Sequence, residues 1–431
     1  MRDESQQRSP PAAERPGRPH SAWLRSAWLR SAWLRSAWLP VALLVPVALL
    51  NYLDRQMLAT MKSSMVADVV GLQTDAQWGF VLACFKWVYA LLSPVGGFIA
   101  DRFSRRWVIA VSLFAWSAVT WATGHVTSYD QLVATRALMG VSEAFYIPAA
   151  LALIADLHAG PTRSRAVGIH QTGIYLGLIL GGFAGHVADE PSLGWRWAFG
   201  AAGLVGILYA LPLVCLLHDP PRPAHDRGRI SPRAAVGELV RNRDFLLLVI
   251  AFTLPAIAGW VIKDWMPVIL KNRFALSQGA AGTTAVVWVQ VASILGAVLG
   301  GLLADRWMQR SVRGRVYTSA IGMAMFLPAL LGLGNPGSIA TAIAMLVVFG
   351  IGWGFFDSNN MPILSQVTRT EVRATGYGIM NLVSISVGGA GDWGFGVLQD
   401  MGAPLPLIFG VFAGVALVSV AVMLLIRPRH A

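Results

Sequence analysis

Twelve runs of about twenty predominantly apolar residues, parted by short polar breaks, fill most of this 431-residue chain. A run of that length crosses a hydrocarbon core of about 30 Å as one helix, and in lipid only helices and closed barrels leave no backbone group unsatisfied. The runs cover approximately 38–60, 77–100, 107–124, 130–155, 165–187, 196–217, 245–270, 280–304, 316–334, 338–362, 374–397 and 405–426. Charged residues make up 13% of the chain, against about 25% in soluble domains. The expected fold class is an all-α polytopic membrane protein with twelve transmembrane helices.

Arginine orients these helices. Arg102, Arg105 and Arg106 follow the second run, Arg163 and Arg165 the fourth, and Arg222, Arg227, Arg229, Arg233, Arg241 and Arg243 crowd the stretch after the sixth. Arg306, Arg310, Arg313 and Arg315 follow the eighth, Arg369 and Arg373 the tenth, and Arg427 and Arg429 the twelfth, whereas the loops at 125–130, 188–195 and 335–337 hold neither Arg nor Lys. By the positive-inside rule both termini are cytoplasmic. The net charge of +12 then reports topology and contact with anionic membrane lipids, not nucleic-acid binding. Cys84 and Cys215 both fall inside apolar runs, so no disulfide framework, metal site or cofactor is implied. The first forty residues lack a signal-peptide pattern, and the first run is expected to act as its own targeting signal.

Before that run stands "SAWLRSAWLRSAWLRSAWLP", Ser21 to Pro40. On a helix each five-residue step turns about 140°, so Trp23, Trp28, Trp33 and Trp38 spread around the axis. Two readings stay open, an interfacial Trp/Arg anchor and a tandem duplication in a tolerant tail.

"GFIADRFSRR", Gly97 to Arg106, returns as "GLLADRWMQR", Gly301 to Arg310, and "RAVG" at 165–168 returns as "RATG" at 373–376. Each pair sits at matching places in two successive sets of six runs. Two parallel six-helix halves are the signature of a carrier that rocks around a midplane site. The domains expected are a cytoplasmic tail 1–37 with the repeats, a bundle 38–217, a cytoplasmic linker loop 218–244, a second bundle 245–426 and a tail 427–431.

These motifs resemble the major facilitator superfamily over about Ala42 to Pro428. Gly97, Asp101, Arg102, Arg105 and Arg106 match its loop signature, and "RALMGVSEA", Arg136 to Ala144, is similar to its fourth-helix motif. With "NYLDR" and "GWRWAF", the likeness narrows to two subfamilies: the anion:cation symporters (sialin, galactonate and hexuronate carriers) and the Spinster-like carriers. Lys86 belongs to the motifs of neither, and the eleventh run, "GYGIMNLVSISVGGAG", departs from the anion:cation symporter pattern.

The loop motif also has a physical reading. Gly97 lets the second helix approach a neighbour closely, and Asp101 can then face the positive N-terminus of the eleventh helix near Ala374. Gly301 and Asp305 would do the same toward the fifth helix near Ala166. Such contacts exist only when the cytoplasmic side is closed, which makes a latch of Gly97, Asp101, Arg102, Arg106, Gly301, Asp305 and Arg306. The alternative, that these loops only satisfy topology, explains the arginines but not the repeated Gly and Asp.

The first run contains "NYLDRQMLA", with Asp54 beside Arg55, and Lys86, Arg136, Glu143 and the pair Lys263 and Asp264 are likewise inside or near apolar runs. A charge at the bilayer centre costs roughly 2.5–3.5 kcal/mol on insertion scales, so these groups must face the bundle interior. Arg136 and Glu143, two turns apart, share one helix face. A structural salt-bridge network is one reading. The other notes that Arg55, Lys86 and Arg136 outnumber the two carboxylates of the N-terminal half, an excess that asks for an anion. Arg55 or Arg136, with Lys86 as helper, would then bind a carboxylate through a planar fork. The resemblance assigns proton coupling to Asp54 and Glu143 and the anion to Arg55 and Arg136.

Further candidates for substrate contact are Tyr52, Tyr89, Gln171, Tyr175, Trp260, Lys263, Asn359, Asn360 and Asn381, with Asp357 beside them. Polar groups of this kind also serve as interhelical glue, and His170 reads as helix packing. No catalytic motif and no large extramembrane domain is present, so an enzyme is not expected. The expected function is alternating-access transport by a monomer in a bacterial inner membrane: proton-coupled symport of a small organic anion, such as a sugar acid or monocarboxylate. The alternative is a Spinster-like exporter or antiporter of a lipid-like or drug-like amphiphile.

Overall fold

The computed structural model describes residues 36–158, 162–219 and 231–428. The repeat tryptophans Trp23, Trp28 and Trp33, the arginines at 222, 227, 229 and 429, and the side chain of Asp101 lie outside the described set. Every one of the twelve apolar runs is helical. The N-terminal set is α1 (Trp38–Thr60), a short α2 (Lys62–Asp68), α3 (Asp75–Arg102), α4 (Arg105–Thr123), α5 (Tyr129–Glu143), α6 (Tyr146–Leu157), α7 (Arg163–Asp189) and α8 (Gly194–Leu216). The C-terminal set is α9 (Pro232–Arg241), α10 (Arg243–Phe274), α11 (Gln278–Met308), α12 (Gly314–Gly334), α13 (Ile339–Val367), α14 (Arg373–Asp400) and α15 (Leu405–Leu425).

Two expectations need correction. The stretch 218–244, read as a loop, contains helix α9, started by Ser231, which accepts from the Ala234 N–H, and by Pro232. The fourth run is two helices, α5 and α6, broken at Ala144 and Phe145. Pro148 is the cause: it has no N–H for the Ala144 carbonyl and its ring crowds that carbonyl. Among the described residues, ten segments, with α5 and α6 taken as one, are long and apolar enough to cross a membrane. Helices α4 and α14 fall outside that set because Arg105 and Arg106 open the first, and Asn381, Asp392 and many glycines interrupt the second.

Helix α10 keeps two internal prolines, Pro255 and Pro267, and each strands the carbonyl four residues earlier. Both carbonyls are satisfied from outside the helix. The Ser419 hydroxyl donates to Ala251 O at 2.9 Å, and the Gln56 amide, from the other half, donates to Lys263 O at 3.3 Å.

The halves meet along α3 against α14 and α7 against α11, with α1 touching α10 and α11. Their seam is tight at the outer end, opposite the arginine loops, where a Cβ on Gly79 would stand 2.5 Å from Asp392 O and one on Gly396 2.2 Å from Asp75 O. At the cytoplasmic end several arginines bond within their own half: Arg105 to Ala152 O and Asp156, Arg106 to Val214 O, Arg313 to Leu424 O, and Arg369 to Glu238. The close seam contacts described here thus lie at the outer end.

Candidate functional site

Successive residues on a helix point about 100° apart, so Asp54 and Arg55 cannot share a partner, and they do not. Asp54 is buried and turns toward α4, where Thr120 Oγ1 lies 2.9 Å from its Oδ2. Arg55 turns toward α5, and its Nε donates to Glu143 Oε2 at 2.6 Å. Three rings surround the Arg55 guanidinium, those of Tyr52, Phe85 and Tyr89, at 4.7–4.8 Å. Arg136 is also buried; it lies 5.1 Å from the Phe85 ring, and its Nε and Nη1 have no hydrogen-bond partner among the described residues.

Lys86 is the principal correction to the sequence reading. It is not free to help an anion, because its ammonium bonds Asp264 on α10 and Asp392 on α14. The excess of buried cations counted within one half vanishes once the other half is packed against it. Asp392 escaped the sequence analysis, although a lone Asp in the apolar stretch "GGAGDWGFG" carried the intramembrane-charge signal already applied to Asp54.

A cavity of about 180 Å³ opens between the halves, bounded by α1, α7, α10, α11 and α13. Of the expected contacts it takes in Tyr52, Gln171, Tyr175, Trp260 and Lys263, along with Asp357. Most of the remaining wall is apolar or aromatic, including Ile174, Leu178, Ile262, Val289, Phe349 and Trp353. Lys263 makes no ion pair within 4.0 Å among the described residues; its Nζ lies 4.8 Å from the Trp260 ring. Gln56, Gln290 and Ser293, which sequence reasoning passed over, supply further polar atoms. A smaller adjoining cavity of about 30 Å³ holds Arg55, Lys86, Arg136 and Asp264.

Other expected contacts lie elsewhere. Asn359 is buried and donates to its own helix at Phe355 O (2.9 Å), because a buried amide on a helix finds the carbonyl one turn back. Asn360 bonds Asp357 at 3.4 Å instead of lining either cavity, Asn381 lines neither, and Tyr89 serves as a ring beside Arg55. His170 packs as read, with Nε2 2.8 Å from the Tyr146 hydroxyl.

In the loop motif, the expected close approach at Gly97 and Gly301 is absent, since neither has an atom within 4 Å of a Cβ position. The preceding glycines do the packing: Gly96 would meet Ala144 O at 2.5 Å, the carbonyl freed by Pro148, and Gly300 would meet the Phe355 Cα at 2.8 Å. Asp305 is 75% exposed and 4.0 Å from Arg315, not against α7. Arg102 lies 4.3 Å from the Phe98 ring, the Arg106 N–H donates to Asp219 at 2.9 Å, and Arg306 is exposed.

Two six-helix halves around a central cavity, sealed at one end and lined by buried charge, define a membrane carrier. A family model for the Major Facilitator Superfamily matches residues 44–391, and the chain belongs to that family, whose members transport by alternating access. It resembles the Spinster-like branch. Protein spinster of Drosophila melanogaster is 29% identical over 377 residues, 82% of this chain and 60% of that protein, so the chain spans well under two thirds of that relative. Protein spinster homolog 1 of Homo sapiens is 27% identical over 390 residues, 84% of this chain and 72% of that one. Among solved structures, a bacterial homolog of the human lysosomal transporter Spinster, in an inward-facing and occupied conformation, superposes with a TM-score of 0.75 at 20% identity. That superposition covers 89% of this chain and 95% of that one. A D-xylose-proton symporter gives 0.73 at 17% identity, with 90% and 97% covered.

Proposed function

We propose that this chain is a proton-coupled, Spinster-like carrier of a small amphiphile bearing a charged head group. The observation that carries this reading is the wall of the central cavity, which is mainly aliphatic and aromatic and offers Lys263 and Asp357 as its charged groups. Apolar walls suit a hydrocarbon portion, while an unpaired ammonium and a carboxylate suit an ionic head. A sugar acid, polar over its whole surface, would leave that wall poorly used. Arg55, moreover, is occupied by Glu143, and Lys86 by two aspartates.

The proton is assigned to Asp54 with Glu143 as its partner in the cycle. Thr120 Oγ1 lies 2.9 Å from Asp54 Oδ2 and 2.9 Å from Trp116 O. A hydroxyl has one proton, so both contacts are hydrogen bonds only when Asp54 is protonated and donates to Oγ1. Release of that proton would leave a bare carboxylate beside the unpartnered Arg136, and a shift of Arg136 toward Asp54 would loosen the fourth-span charge set. We place the coupling of proton to substrate in that exchange.

A second reading, symport of a small organic anion, draws on Arg136, whose Nε and Nη1 lack partners. The deciding experiment compares single-chain phospholipids with sugar acids as ligands in a thermal-shift screen, since a ligand at 100 times its Kd adds about 2.7 kcal/mol. It then follows the stabilising class into proteoliposomes. The amphiphile reading expects stabilisation by the lipids and a change of threefold or less on Arg136→Lys. Stabilisation by sugar acids, weakened tenfold or more by Arg136→Lys, would replace it with the second reading. Asp54→Asn should retain counterflow exchange and lose accumulation driven by a pH gradient; full accumulation by this variant would refute the coupling role.

A further inference from the structure

Lys86 sits where three helices from two halves converge. Helix α3 brings the ammonium, α10 brings Asp264, α14 brings Asp392, and Lys86 Nζ bonds Oδ2 of both carboxylates. The cluster is buried: Lys86 is 4% exposed, Asp264 7% and Asp392 0%. The second oxygen of Asp392, Oδ1, is buried with no partner. One cation between two carboxylates leaves one uncompensated negative charge, a strongly unfavourable state away from water.

The neighbouring charges do not cancel it. Lys263 follows on from the cluster along α10, but its ammonium lies over Trp260 and near Tyr52, outside bonding distance of either aspartate. Across the smaller cavity stand Arg55, already held by Glu143, and Arg136, which makes no ion pair within 4.0 Å among the described residues. A bound proton cancels the charge most simply: one carboxylate becomes an acid whose O–H has the other carboxylate, bonded to the same ammonium, within reach as acceptor.

We propose that Asp264 and Asp392 together hold one proton against Lys86, forming a second proton site whose occupancy is tied to closure of the outer end. The site rests on the proton-coupled reading above but uses none of the same residues. Opening the outer end must draw α10 and α14 away from α3, which hydrates all three groups and lets the carboxylic acid return its proton to water. Acid therefore favours the closed outer end and alkali the open one. In the closed state the smaller cavity, which reaches Lys86 and Asp264, is the route by which the proton leaves on the other side.

The test uses the full chain lacking Cys84 and Cys215, spin-labelled once at the outer end of each half, in nanodiscs, with the inter-label distance distribution followed through a pH titration. The wild-type open fraction should rise at least tenfold from the acid to the alkaline limb. Asp392→Asn and Asp264→Asn mimic the protonated site and should stay closed throughout; either one retaining the wild-type curve overturns the proposal, as does a wild type insensitive to pH. Lys86→Met leaves two carboxylates without their cation, so closure should need more acid; an unshifted curve overturns the proposal even where an asparagine variant fails to fold. Asp54→Asn separates the two sites. If it flattens the curve while Asp392→Asn does not, the cluster is a structural ion network and Asp54 alone carries the proton. The reverse result supports the cluster and removes Asp54.

Discussion

At the outer end, Asp189 and Asp400 close the last turns of α7 and α14, and each carboxylate reaches across the seam to cap a helix of the other half. Thr74 and Gln77 form a capping box at the start of α3, which leaves the N–H groups of Asp75 and Ala76 free; Asp400 accepts both at 2.8 Å. Ser277 caps α11 at Ala280, and Asp189 accepts from the Gly279 N–H at 2.7 Å. At the cytoplasmic end the corresponding described carboxylate is Asp305, near the end of α11, which lies 4.0 Å from Arg315 of its own half. Asp305 is exposed, and Gly97, Gly168, Gly301 and Gly378 on α3, α7, α11 and α14 have, among the described residues, no atom within 4 Å of a Cβ position. The outer carboxylates are thus engaged with helix N-termini of the opposite half, and the described Asp305 is not. The outer caps have no conspicuous sequence signature, whereas the cytoplasmic loop motif, expected from the sequence to act as a latch, makes no described contact across the seam.

The comparison is broken most severely by removing both outer caps. Each cap is worth about 1 kcal/mol against Ala, so Asp189→Ala with Asp400→Ala should shift the equilibrium toward the outward-open state by about 2 kcal/mol, roughly 30-fold. Inter-label distances at the outer end check this, and an unchanged distribution would show the caps to be incidental. A smaller effect of the same sign is expected for Gln56→Leu, which strands the Lys263 carbonyl that Pro267 frees; with cavity water able to replace the amide, the loss is about 1 kcal/mol, or about fivefold.

Asp101→Asn should act in the opposite sense. It weakens the proposed cytoplasmic latch by a similar amount, so turnover falls while substrate binding from the cytoplasmic side persists. Wild-type turnover would count against the latch. Combined with Asp189→Ala and Asp400→Ala, it should restore part of the wild-type distribution, because both ends are then loosened together.

The smallest effect is expected where the arginines only decorate the surface. Arg369 donates to Glu238 through Nε at 2.9 Å, and those hydrogen bonds hold the Glu238 carboxyl below its usual range. A depressed carboxyl contributes stability that is present above its unfolded pKa, near 4.5, and lost as pH falls through the lower folded value. Because Arg369 is exposed and Glu238 partly so, Arg369→Ala should leave the melting temperature unchanged at high salt and neutral pH.

The helical framework was legible in the chain to an unusual degree. The first run was read at 38–60 and α1 spans Trp38–Thr60, because a run of apolar residues in lipid has no alternative to a helix. The break in the fourth span was legible in principle from Pro148. Thr120 and Asp392 were harder: a threonine in an apolar run announces nothing until a carboxylate is found beside it. The partners of Lys86 were out of reach, since Asp264 and Asp392 lie 178 and 306 residues away in sequence.

By itself the sequence determined which segments are apolar enough to lie in the membrane and which charges must be buried, because each follows from transfer of local groups between water and lipid, and its repeated motifs pointed to two related halves. Tertiary structure alone decided which buried charge meets which, turning an apparent cation excess into the pairs Arg55 with Glu143 and Lys86 with Asp264 and Asp392. It also decided that Lys263, not an arginine, faces the main cavity, and that the outer end is the closed one. Pairing depends on which helix faces which across the seam, and that is set by the packing of whole helices, to which no short stretch of sequence refers.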